Sequence, residues 1–189
     1  MQTSESRTIR AVTVYCGSHT PREPLYTQAA QDFGAYLADH AITLIYGGSN
    51  VGTMKTLADA VLAKGGKVVG VFTRDLAEAI AHRGVTELII TENLAERKAV
   101  MLKRADAVVA LPGSYGTWDE LFDALALKKL STGHKLPVGV LNVGGYFDHL
   151  IAFIQRSVEV GYTSDAYSQL LTVGTTPEEL FAAFAAQPN

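Results

Sequence analysis

The chain has 189 residues, 48% of them hydrophobic and 19% charged, and a formal net charge of −3. That length suits one domain with a full core, and a weakly acidic balance without a basic run argues against nucleic acid as the main partner. A single cysteine, Cys16, excludes an internal disulfide and fits a reducing, cytoplasmic setting; no apolar stretch reaches membrane-spanning length, and the opening MQTSESRTIR has no apolar signal region.

Residues 1–8 read as a flexible tail, and a first β-branched run from Ile9 to Cys16 ends in Cys16-Gly17-Ser18. Ile42 to Tyr46 is the second run; it leads through Gly47-Gly48-Ser49-Asn50-Val51-Gly52 into a helical pattern carried by Met54, Leu57, Ala58, Val61 and Leu62. Val68 to Phe72 and Leu88 to Thr91 follow as further strands. Asn93 then stands where it can cap a helix, with Glu96 at the third helical position and Arg97 and Lys98 in the first turn. Ala107 to Leu111 is an apolar run that stops at Pro112-Gly113. Gly116-Thr117 opens the next helix, with Trp118, Leu121, Phe122 and Leu125 expected on one face. Val138 to Leu141 reads as a strand, Phe147, Leu150, Ile151, Ile154 and Val158 as a helix, and Leu170 to Val173 as a short strand. Thr176-Pro177-Glu178-Glu179 opens the last helix, with an N-cap, proline at the first helical position and glutamate at the third. The six main runs are expected to be buried parallel strands. The alternation predicts a single doubly wound, Rossmann-like α/β domain over 9–189, with helices on both faces of a parallel sheet and ligands beyond the carboxyl ends of the strands.

That rule gathers four segments at one sheet edge: Cys16 to Ser18, Gly47 to Gly52, Asn93 to Lys98 and Gly113 to Glu120. The last is the most informative. A strand, a glycine turn and a helix start leave backbone N–H groups free, and these donors and the helix dipole both favour a phosphate or carboxylate. Glu120 lies one turn into that helix on the face of Gly116 and Thr117, an acid beside an anion site. Gly47 to Gly52 is spaced GGxxxG rather than GxGxxG, lacks an acid at the end of the next strand, and has no GK[ST] ending, so it suits a mononucleotide better than a dinucleotide. Lys55 in the first turn after it reads equally well as an anion ligand or as a solvated surface lysine. Arg97 is placed to bind a phosphate or to hold a carboxylate such as Glu120 ionised. The histidines His19, His40, His82, His134 and His149 have no metal-ligand spacing and one cysteine makes no thiolate cluster, so no zinc site is expected; there is no GxSxG elbow, and Cys16 reads as a structural thiol.

ERKAVM at 96–101 followed by LPGSYGTWDE at 111–120 resembles the paired signature RK and PGGxGTxxE of the cytokinin-activating phosphoribohydrolases, the Lonely Guy family, many of whose members carry the label "lysine decarboxylase". VYCGS at 14–18, YGGSNVGTM at 46–54, TEL at 86–88 and KLPVGVLNVGGYFDHL at 135–150 resemble family segments in the same order, so the likeness covers about Ile9 to Phe184. The resemblance implies hydrolysis of the N-glycosidic bond of adenine-type nucleoside 5′-monophosphates, such as AMP or a cytokinin riboside 5′-monophosphate, to free base and ribose 5-phosphate, without a cofactor or metal. It implies Arg97 and Glu120 as the catalytic pair, with Ser18, Gly47, Gly48, Lys98, Gly113, Gly116 and Thr117 binding substrate or phosphate. It also implies a homodimer with a small-molecule nucleotide as partner, and no nucleic acid or membrane. The chain departs from the pattern at Ser49 and Ser114, where glycines are usual, at Lys55, and at Leu94-Ala95, where Met-His is common. The alternative is a non-catalytic nucleotide- or molybdenum-cofactor-binding carrier, a class with a similar fold and glycine turns; phosphate binding alone needs no acid at Glu120.

Overall fold

The computed structural model describes residues 7–75, 80–130 and 136–187. The expected tail at 1–8 falls almost wholly outside these, as do His134 and Lys135 of the resembling segments. Seven strands form one sheet: β1 (Ala11–Tyr15), β2 (Thr43–Tyr46), β3 (Val68–Thr73), β4 (Glu87–Thr91), β5 (Ala107–Ala110), β6 (Val138–Leu141) and β7 (Leu171–Gly174). Their spatial order is β4-β3-β2-β1-β5-β6-β7 and every pairing is parallel. The helices are α1 (Pro24–Asp39), α2 (Gly52–Ala63), α3 (Leu94–Lys103), α4 (Tyr115–Lys129), α5 (Asp148–Glu159), the short α6 (Asp165–Ser168) and α7 (Pro177–Ala185).

Alternate side chains of the central strands feed two cores, because successive residues of a strand point to opposite faces. Val12, Val14 and Cys16 pack with Phe33 and Leu37 of α1, Leu57 and Val61 of α2, and Phe184 of α7. Tyr15, Val108 and Ala110 pack on the other face with Met101 of α3, Leu121 of α4 and the neighbouring Phe147. A fully buried Val, Leu or Phe contributes about 1.5–3 kcal/mol relative to exposure, so these two layers hold the sheet between its helices. The predicted caps form as written: Asn93 Oδ1 accepts the Glu96 N–H at 2.9 Å, and Thr176 Oγ1 accepts that of Glu179 at 3.3 Å.

Two expectations need correction. The run from Leu88 to Thr91 is not a buried strand: β4 is a sheet edge with Leu88 and Ile90 more than a third exposed, and only Thr91 is fully enclosed. The ion pairs Arg74–Glu92 and Arg104–Glu87 lie at its two ends. In α4 the buried stripe is Thr117, Glu120, Leu121 and Ala124, rotated by one residue from the expected one. The helix turns its small and polar side toward the sheet edge, and Trp118 and Phe122 are left substantially exposed.

Candidate functional site

β1 lies at the centre of the sheet, with β2 on one side and β5 on the other. The strand order reverses there, which is where a crevice opens beyond the carboxyl ends of an α/β sheet. The turns after β1 and β5 meet in it, with the Cα of Gly113 against Gly17. A Cβ on Gly113 would run into the Thr117 hydroxyl and stand 3.0 Å from the Gly17 nitrogen, so a side chain there would push the two turns apart. Tyr146 Oη donates a hydrogen bond to the Gly113 carbonyl and fixes the turn from its outer side.

Helix α4 begins at Tyr115, one residue earlier than Gly116 suggested, with Ser114 in the N-cap position. The Ser114 side chain caps nothing and the first turn carries no acid, so the N–H groups of Tyr115, Gly116 and Thr117 have no partner within the helix. A cavity of about 190 Å³ lies against this helix start, lined by Ser18, Gly47, Met54 and Cys16 on one side and by Ser114, Gly116, Thr117, Glu120, Arg97 and Tyr15 on the other. A second cavity of about 280 Å³ adjoins it across Ser114 and is walled by Pro21, Tyr26, Pro112 and Tyr146.

The charged centre of the first cavity is a buried pair. Arg97 Nη1 lies 3.4 Å from Glu120 Oε1. The guanidinium is held from behind, where Nε donates to the Val71 carbonyl at 2.9 Å and Nη2 to the Gly47 carbonyl at 3.3 Å. Helix α3 is in turn anchored through Thr13 of β1, whose hydroxyl donates to the Met101 carbonyl at 2.8 Å. Glu120 is only 8% exposed. Burial pushes its carboxyl up from 4.5 to about 7, against the opposing pull of Arg97. A carboxyl poised near neutrality exchanges a proton readily at physiological pH, the property wanted of a general acid or base.

The structure brings Arg97, Glu120, Ser18, Gly47, Gly116 and Thr117 to one cavity, with Gly113 in the wall of its neighbour. Gly48 does not line the cavity; its φ is +72° and a Cβ on it would meet the Phe72 side chain at 3.1 Å, so it shapes the turn. Lys98 does not line the cavity; its ammonium reaches across to α4 and pairs with Asp119 at 3.1 Å and Asp123 at 3.7 Å. Lys55 pairs with Asp59 on the surface of α2, the solvated reading of the two. Cys16 is enclosed, and burial holds its thiol well above the usual range, as suits a structural role. Sequence reasoning missed Tyr15 and Met54 as lining residues and Tyr146 as the clamp on the Gly113 turn. Tyr15 was open to discovery, since a polar aromatic in the last position of a central strand has its ring at the ligand edge.

Gly47 leaves room for the guanidinium. A Cβ at that position would fall on Arg97 Nη2 and lie 2.9 Å from Met54 Sδ, so the atoms nearest it belong to flexible side chains that can shift. Gly47→Ala should therefore fold with a thermal midpoint within a few degrees of wild type and lose turnover by about 10²-fold, because a catalytic group displaced by an ångström forfeits that much. Parallel thermal melts and initial rates check this; an alanine variant with full activity would show that the arginine's position is immaterial.

Comparison with known proteins bears on the family. Residues 54–184 match the family model described as "Possible lysine decarboxylase". A probable cytokinin riboside 5′-monophosphate phosphoribohydrolase of Oryza sativa subsp. japonica is 38% identical over 172 residues, 90% of this chain and 70% of the relative. A cytokinin riboside 5′-monophosphate phosphoribohydrolase of Arabidopsis thaliana is 35% identical over 181 residues, 95% of this chain and 82% of the relative. Among solved structures, the molybdenum cofactor binding protein of Rippkaea orientalis superposes with a TM-score of 0.70 at 21% identity, covering 94% of this chain and 96% of that one. The molybdenum-cofactor carrier protein of Chlamydomonas reinhardtii gives 0.68 at 20% identity, covering 93% and 95%. At such identities these two share the fold and nothing finer is drawn from them. The relatives at 35–38% identity, spanning nearly the whole chain, decide the matter: the chain belongs to the Lonely Guy family of cytokinin riboside 5′-monophosphate phosphoribohydrolases.

Proposed function

We propose that the protein hydrolyses the N-glycosidic bond of an adenine-type nucleoside 5′-monophosphate, giving the free base and ribose 5-phosphate. The observation that carries this reading is the buried Arg97–Glu120 pair in the same cavity as the uncapped start of α4. The N–H groups of Gly116 and Thr117, with Ser18 opposite, bind the 5′-phosphate. Glu120 lies one turn further in, beside the ribose. As the bond from C1′ to the base nitrogen lengthens, positive charge develops on the ribosyl ring, and an ionised Glu120 stabilises it. A water then adds to C1′ and gives its proton to Glu120, and this proton passes on to the nitrogen of the departing base, directly or through solvent, which leaves the carboxylate ionised again. Arg97, fixed by two carbonyls, orients the carboxylate and favours its charged form.

A non-catalytic carrier with the same fold would have no use for a buried acid poised near pH 7. Incubation with AMP and with an N6-isopentenylated analogue, in the absence of metal and pyridoxal phosphate, should release base and ribose 5-phosphate. Release from neither, or complete loss with a chelator, would reject the reading. No lysine decarboxylation is expected, since no lysine among the described residues lines the cavity as a Schiff-base residue would.

The same reading carries a homodimer. Trp118, Phe122 and Phe153 are exposed on α4 and α5 and line a mostly apolar groove with Phe147 and Leu150, and the exposed Tyr115 packs edge-on against Trp118. A contiguous apolar face of this kind marks an interaction surface, and a symmetric pair is the commonest assembly of soluble proteins. Light scattering at micromolar concentration should return twice the chain mass, and Phe153→Glu should return one; a monomeric wild type would refute it.

A further inference from the structure

Tyr15 is the last residue of β1, and its side chain is 1% exposed. It lines the cavity that holds Arg97 and Glu120, yet its hydroxyl has no hydrogen-bond partner among the described residues. Buried polar groups are almost always paired, and a phenylalanine would fill the same space without the cost of burying a hydroxyl. The two cations of α3 nearest this region already have partners. Lys98 of α3 is taken by Asp119 and Asp123 of α4, and Arg97 is held by Val71, Gly47 and Glu120. Glu120 exerts the strongest influence of any charge on the Tyr15 hydroxyl, followed by Asp123, while Arg97 acts in the opposite sense. Tyr15 and Glu120 thus line one small cavity, the first with an unsatisfied donor and the second with spare lone pairs. Cys16, the remaining titratable group on that edge of β1, is a poor acceptor and points to the opposite core.

We propose that Tyr15 is a positioning residue of this reaction: its hydroxyl donates to the Glu120 carboxylate, directly or through one water in the cavity, and holds the ionised carboxylate turned toward the ribose. The assignment rests on the hydrolytic reading of the site. It concerns a group that acts through Glu120 and does not itself take part in bond making. A hydrogen bond given to the charged form lowers a carboxyl's proton affinity, so Tyr15 works alongside Arg97 against the effect of burial.

Tyr15→Phe removes one oxygen and keeps the ring. Its thermal midpoint should equal or exceed that of wild type, while kcat on AMP at pH 6.5 should fall about 10- to 100-fold with KM little changed, the loss expected for a hydrogen bond to a charged group. The acidic limb of the kcat profile should move to higher pH by about half a unit or more. The Glu120 carboxyl, followed by carbon NMR and assigned with Glu120→Gln, should show the same displacement of its midpoint in the free protein. A stable Tyr15→Phe with wild-type kcat and an unmoved Glu120 midpoint overturns the proposal. A shifted midpoint in a protein that hydrolyses no monophosphate would instead uphold the Tyr15–Glu120 contact and reject the hydrolytic reading.

Discussion

Glu120→Gln should remove nearly all turnover and at the same time make the protein more stable above neutral pH. The amide keeps the size of the side chain but neither carries charge nor accepts a proton from water, so base release should fall by about 10²–10⁴-fold, with nucleotide binding retained. The gain in stability follows from the raised carboxyl, which moves from 4.5 to about 7 on burial. Between those values the native state holds the proton more tightly than the unfolded chain. Stability therefore declines as pH rises through that window, and the penalty is complete above it. A displacement of that size, in which the attraction of Arg97 is already included, corresponds to about 3 kcal/mol, so the variant should be more stable than wild type by up to that order at pH 8. Denaturant melts of both proteins at pH 5 and pH 8 should show the gap opening only at the higher pH. A variant with a tenth or more of wild-type activity would remove Glu120 from the chemistry.

The second large effect concerns the substrate's phosphate. The helix start at Tyr115 to Thr117 offers donors that no side chain satisfies, and Gly116 leaves the space before them clear, since a Cβ there would meet nothing within 4 Å. Charge-assisted hydrogen bonds contribute about 1.5–3 kcal/mol each, so two that adenosine cannot make amount to about 10²–10⁴-fold in kcat/KM. Because the phosphate is remote from the bond that breaks, part of its binding serves to hold the ribose against Glu120, and the loss should appear in kcat as well as KM. Inorganic phosphate or sulfate should compete with AMP. Equal efficiency on adenosine and AMP would mean that the turn is structural and the phosphate has another seat.

The strands were legible because a parallel sheet covered on both faces writes itself as short, nearly unbroken β-branched runs, as from Ala107 to Ala110, all of them fully buried. What misled was the same rule at the edge, where Leu88 and Ile90 look like their buried neighbours but have no helix over them among the described residues. Helix α1 is the least marked, because it meets α2 through small residues. Gly34 and Ala30 are buried there, and a Cβ on Gly34 would fall 2.6 Å from the Leu57 carbonyl. The glycine turns and the Arg97–Glu120 pairing were legible from one rule, that an α/β sheet presents its ligands at the carboxyl edge. Lys98 shows the limit of spacing. It follows Arg97 directly, yet one residue is 100° around a helix, enough to carry its head to Asp119 and Asp123 instead.

The pairing of β1 with β5, Thr13 beside Val108, has a consequence for how the protein comes to be active. Strand β1 and the turns after β1 and β2 emerge early in synthesis, but the strand that completes the crevice, and the helix that carries Glu120, belong to the later half of the chain. Contacts this distant in sequence form slowly, because the intervening loop must close before they reward it. Half a crevice has neither the acid nor the phosphate seat, so partly folded chains are catalytically silent rather than weakly active. Recovery of base release after dilution from denaturant should then lag behind recovery of helical circular dichroism, and the lag times the docking of the two halves of the sheet.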